Sequence, residues 1–318
     1  MLRAREARML TREKAERMVD AASFADAAKM LADSGYADMS EMNPKEIDAA
    51  LAEHRAALFD ELARLSPDSE LVDVFRIKYD YHNAKTVIKS EASNLERTDL
   101  LSKSGRVSPE AMVKCFVEEN FRFMPETLAA AIVEAKGTLA RTANPQLADF
   151  ILDKAYFAEL LKSAQQLESP YLKGYAQTMI DGANLRSAVR TMRMNKDSDF
   201  LNLALVNGGT IDKDRVIAAA GSAEGLAALY AGTVYANAAT LGAEAVSGGR
   251  MTDFELACDN AVTAYLKKAK LVAFGEEPVI AYLAAVEAEI TAIRMILTGF
   301  AAGIAPDTIR ERLREFYA

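Results

Sequence analysis

The sequence predicts an all-α protein, and three observations carry that prediction. Apolar residues recur at helical spacing in almost every segment, while alternating strand-like runs are nearly absent. Five of the eight prolines directly follow Asn or Ser (Asn43-Pro44, Ser66-Pro67, Ser108-Pro109, Asn144-Pro145, Ser169-Pro170), the pattern of a capping side chain with proline at the first helical position. A polar signature, Asp-x-x-Asn-x-(Lys/Arg)-x-x-x-(Lys/Arg), occurs in "DYHNAKTVIK" from Asp80 and again in "DGANLRSAVR" from Asp181, 101 residues on.

The elements follow in chain order. The opening "MLRAREARMLTREKAERMV" reads as a charged amphipathic helix; it lacks the apolar core segment of a signal peptide. Asn43-Pro44, Ser66-Pro67 and Ser108-Pro109 begin helices, with Glu46, Asp68 and Glu110 at the positive ends. After Asn144-Pro145, "ADFILDKAYFAELLKSAQQL" places Phe150, Phe157, Leu160, Leu161, Ala164 and Leu167 on one stripe, with Asp153, Lys154, Lys162, Gln165 and Gln166 opposite. Ser169-Pro170 opens the helix of the second signature. Gly225 to Ala243, "GLAALYAGTVYANAATLGA", has no charge, but it is mostly alanine with Gly232, Thr233, Asn237 and Thr240 inside. It reads as a buried helix of a water-soluble fold rather than a membrane span.

A worn third copy of the signature lies in "EAEITAIRMIL", where Glu289 stands for the aspartate, Ala292 for the asparagine and Arg294 for the cation. Each copy leads to a turn and a new helix start: "GRVSPE" at Gly105, "GTIDKD" at Gly209 and "AGIAPD" at Ala302, the last without a capping side chain at Ala305. A period near one hundred residues predicts three related helical subdomains, over residues 1–119, 120–222 and 223–318.

The signature residues Asp80, Asn83, Lys85, Asp181, Asn184, Arg186, Glu289 and Arg294 read best as a structural polar network, because polar groups between packed helices need partners. Arg190, Arg193 and Lys196 extend the second copy as a basic patch that a partner would contact.

Composition excludes several functions. A net charge of −8 argues against nucleic acid as the main partner. Cys115, beside Val113 and Phe116, and Cys258, beside Leu256, have no metal spacing and suit a reducing compartment as small apolar side chains. There are two histidines; His82 lies in the first signature, but Ala183 and Thr291 replace it in the others, so the repeat needs no imidazole. No phosphate-binding G-x-x-x-x-G-K loop and no Glu-x-x-His pair occurs, and Asp149 with Asp153 lacks the acid density of a diphosphate-bound metal. Neither a catalytic residue, nor a metal site, nor a cofactor is expected.

In order along the chain, "LRAREARML…ADSGYAD", "DYHNAKTVIK", "YLKGYAQTMIDGANLRSAVRTMR", "LVNGGTID" and "FELACDNAV…EAEITAIRMILTG" resemble the C subunits of bacterial and archaeal V/A-type ATPases, a family that includes the d subunit of eukaryotic V-ATPases. The resemblance implies three helical subdomains forming a funnel around a pseudo-threefold axis. It also implies a non-catalytic rotor part, peripheral on the cytoplasmic face of the membrane, between the central axle (the D and F subunits) and the membrane proteolipid ring. A free-standing helical scaffold that binds another protein on a concave face is the rival reading.

Overall fold

The computed structural model describes residues 2–66, 68–93, 95 and 97–318. The fold is all-α: sixteen α-helices and three short 3-10 turns, with no strand, among the described residues. The helices are α1 (Leu2–Glu6), α2 (Arg12–Val19), α3 (Phe24–Lys29), α4 (Pro44–Leu65), α5 (Glu70–Ser93), α6 (Pro109–Val117), α7 (Glu126–Thr142) and α8 (Pro145–Gln166). They continue as α9 (Pro170–Arg193), α10 (Ser198–Ala204), α11 (Lys213–Ala219), α12 (Ala223–Tyr230), α13 (Ala236–Val246), α14 (Met251–Leu266), α15 (Glu277–Ala301) and α16 (Pro306–Arg310).

Four of the proline-marked starts form as the sequence requires. Asn43, Ser108, Asn144 and Ser169 each accept backbone N–H groups at the starts of α4, α6, α8 and α9, with the proline in the first turn. At α4 the cap is reciprocal, because the Glu46 carboxylate accepts the Asn43 amide at 2.8 Å. Pro67 lies outside the described residues, and α5 begins at Glu70.

The alanine-rich stretch from Gly225 is two helices rather than one. The chain breaks between α12 and α13, where the Thr233 hydroxyl donates to the Tyr230 carbonyl (2.8 Å) and accepts the Tyr235 amide (3.0 Å). The break turns two buried tyrosines onto α9: Tyr230 donates to the Asp181 carbonyl and Tyr235 to that of Thr178. Among the described residues no helix is long and apolar enough to cross a membrane.

The three long helices carrying the signatures, α5, α9 and α15, each follow a helix that ends just before them: α4, α8 and α14. Packing links these pairs in a cycle. α5 lies against α8, α9 against α14, and α15 against α4, so the last pair returns to the first. One large apolar cluster draws side chains from α2 to α9 and from α15. A smaller one joins the second half of α9 to the helices from α10 to α14.

Candidate functional site

The acids of the signatures sit near the middle of the three long helices, and all three are buried. A buried carboxylate needs donors, and each finds a backbone amide that immediately precedes a helix cap. Asp80 accepts the Val107 amide at 3.0 Å, ahead of the Ser108 cap. Asp181 accepts the Ile211 amide at 3.2 Å, ahead of the Asp212 cap, and also the amide and hydroxyl of Thr210. Burial pushes both carboxyls above their ordinary value, against the pull of these donors and, for Asp80, of Arg106.

Glycine makes the approach possible. A Cβ on Gly105 or Gly209 would collide with the carboxylate oxygen of Asp80 or Asp181.

The third acid does not meet the turn that follows it in the sequence. The turn at Ala302 does lead into a short helix, α16, capped only by Ala305 without a side-chain bond. Yet Glu289 accepts the amide of Leu10 at 2.9 Å, just before the Thr11 cap of α2. The turn that Glu289 grips is therefore the amino-terminal "RMLTRE". Arg8 stands two residues before the bonded amide, where the other two turns carry glycine.

The asparagines behave alike. Asn83 donates to the Ser102 carbonyl (2.9 Å) and accepts the Ser102 amide (2.8 Å). Asn184 does the same with Val206, at 2.9 and 2.8 Å. Each amide side chain thereby supplies the partners for both backbone polar groups of one loop residue.

The cations leave the acids of their own signatures and reach the next pair of helices. Lys85 meets Asp153 (2.5 Å) and Lys89 meets Asp149 (2.7 Å), both on α8. Arg186 meets Glu255 (2.7 Å) and Asp259 (2.5 Å) on α14. Arg294 meets Asp48 on α4 at 2.6 Å. The ion pairs follow the same cycle as the packing. Of the basic patch, Arg190 pairs with Glu255 at 2.6 Å but stays 59% exposed, while Arg193 and Lys196 lie at the end of α9 and just beyond it, with Lys196 exposed and Arg193 reaching the Gly249 carbonyl at 3.5 Å.

Sequence reasoning missed a second cluster. Glu287 on α15 accepts from Lys78 (2.6 Å) and Tyr79 (2.6 Å) on α5, and Arg55 of α4 lies over the Tyr79 ring at 4.3 Å. Lys78 and Glu287 both stand two residues before a signature acid, with Met179 in the equivalent place on α9. Complementary charges at one register position of two copies were the available signal. Arg106 forms a second junction, bridging Asp80 and Glu159 at 2.7 and 2.8 Å.

The His82 ring meets the Leu100 carbonyl at 3.0 Å, and His54 stacks on Tyr36 at 4.2 Å. Burial pushes the Cys258 thiol up to about 12, opposite to an activated nucleophile, while Cys115 is a half-buried free thiol. No group of His, Cys, Asp or Glu among the described residues is placed to hold a metal ion. The polar residues link helices to turns and helix pairs to one another.

Comparison with known proteins identifies the family. A family profile described as "ATP synthase (C/AC39) subunit" matches residues 1–312. The chain is 22% identical to the C subunit of the V-type sodium ATPase of Enterococcus hirae, covering 100% of this chain and 97% of that protein. It is 24% identical to the C subunit of the A-type ATP synthase of Pyrococcus horikoshii, over 99% and 88% of the two chains. The corresponding A-type protein of Haloferax volcanii is 27% identical, over 84% and 80%.

Proposed function

This chain belongs to the ATP synthase (C/AC39) subunit family, and from that membership we propose that it is the non-catalytic central-stalk component of a V/A-type rotary ATPase. In this reading it is a socket that joins the rotating axle, made of the D and F subunits, to the proteolipid ring, on the cytoplasmic face of the membrane. Torque passes through it between ATP chemistry in the headpiece and ion movement in the ring. The observation that carries the reading is the reach of the family match, which takes in all three signature helices rather than one.

The geometry supports it. Helix pairs that contact one another in a cycle suit three similar subdomains standing round a pseudo-threefold axis as a funnel, a shape able to sit on a round ring and receive a shaft. A torque coupler needs stiffness and two complementary ends, and no tuned acid or base. Arg190, Arg193 and Lys196 are proposed as a contact for an acidic partner surface, with strong salt dependence.

Deleting the chain from the assembled complex tests this. The headpiece should still hydrolyse ATP, while ATP-driven ion uptake into vesicles is lost; undiminished uptake would refute the coupling role. At low ionic strength the chain should co-purify with axle and ring proteins and be released by high salt. Arg190→Glu should weaken that association without lowering the melting temperature of the isolated chain. Recovery with unrelated proteins in place of axle and ring would favour a free-standing scaffold.

A further inference from the structure

We propose that the amino-terminal strap, residues 2–11, is a pH-sensitive clasp of the third unit, held shut on α15 by Glu289 and loosened as pH rises. For the first two signature helices the amide gripped by the buried acid follows that acid by 27 and 30 residues, but for the third it precedes the acid by 279. The acid of α15 thus grips a segment that contains no long helix, only the five residues of α1.

The strap's other fastenings are weak by comparison. α1 buries no side chain. Arg3 donates to the carbonyls of Ala269 (3.0 Å) and Val272, Arg5 pairs with Glu61, and Tyr317 donates to Glu6 at 3.3 Å; Arg3 and Glu61 stay largely exposed, while Tyr317 is buried. Met9 and Leu10 are buried in the apolar core next to the Glu289 bond, and Leu2 packs against its edge.

The groups facing Glu289 are Lys14 from α2, Tyr36 from the loop before α4 and Tyr282 from its own helix. None forms an ion pair with it. Lys14 is bonded to Ser34 at 2.8 Å, and His54 of α4 stands behind the Tyr36 ring. Asp48 of α4 is taken by Arg294, and Asp26 and Lys29 of α3 point away from the core.

Burial pushes the Glu289 carboxyl up to about 7, whereas a released strap would return it to the ordinary carboxylate range. The closed form therefore binds the proton more tightly than the open form. Closure is fully favoured below the ordinary carboxylate value and loses its advantage as pH rises toward 7.

Amide hydrogen exchange of the whole chain from pH 5 to 8.5, referenced to intrinsic exchange rates, reads the clasp at Leu10 and its neighbours. Protection should fall by about tenfold per pH unit approaching 7 and then level. In Glu289→Gln, whose amide oxygen still accepts the Leu10 bond, protection should not vary with pH. A flat wild-type profile, or a slope that survives in Glu289→Gln, overturns the proposal. Glu289→Asp supplies a second arm: its side chain is too short, so the strap should exchange freely at every pH while α15 stays protected. Wild-type strap protection in that variant also overturns it.

Discussion

Asn83 and Asn184 do the same work with unequal stakes. Each holds both backbone polar groups of one residue, Ser102 or Val206, but the bonds of Asn184 are buried while those of Asn83 are only partly so. Alanine at either position strands an N–H and a C=O, at a cost of about 1–3 kcal/mol. Asn184→Ala is expected at the upper end and Asn83→Ala at the lower, read from denaturant unfolding of the isolated chain. Equal losses near zero would mean that water replaces the side chain at both sites. The Asp-x-x-Asn spacing was legible because two copies retain it in full. The partner of Glu289 was not, since it lies 279 residues away and its turn carries Arg8 where the other two carry glycine. A repeat that has exchanged Asp-with-Gly for Glu-with-Arg keeps the bond and loses the pattern.

At the scale of elements, helix starts were the easiest feature to read, because capping is local chemistry. The bonds at Asn43, Ser108, Asn144 and Ser169 involve residues two or three apart and owe nothing to the rest of the fold. The α4 cap is the most complete: Asn43 accepts the amides of Lys45 and Glu46, and Glu46 returns to Asn43. Asn43→Ala should cost about 1 kcal/mol and lower the melting temperature by a few degrees, with little change in total helicity by circular dichroism. Helix interiors were harder where tertiary contacts decide. The segment from Gly225 has the alanine content of one continuous helix, yet the anchoring of Tyr230 and Tyr235 on α9 outweighs that propensity and opens a turn between them. Gly182 permits the anchoring, since a Cβ there would strike the Tyr235 ring.

For the whole molecule, the question is whether the ion pairs between successive helix pairs hold the cycle together or only set its register. Exposed pairs contribute about 0–1 kcal/mol, and their number is a poor measure of strength. The three seams differ in this respect. Arg294 and Asp48, closing the cycle, are 45% and 51% exposed, whereas Arg186 is 21% exposed and serves two acids. Asp259 is also held by Arg314 at 2.9 Å and Glu255 by Arg190, so loss of Arg186 leaves a cluster unbalanced rather than one acid free. Asp48→Asn should therefore change unfolding stability by less than about 1 kcal/mol, and Arg186→Ala by clearly more, with the difference shrinking in high salt. If both variants unfold like the wild type, apolar packing of α5 on α8, α9 on α14 and α15 on α4 carries the cycle alone. If Asp48→Asn is the worse of the two, the closing seam bears strain that the others do not, and a clasped amino terminus beside it would be a necessity rather than a switch.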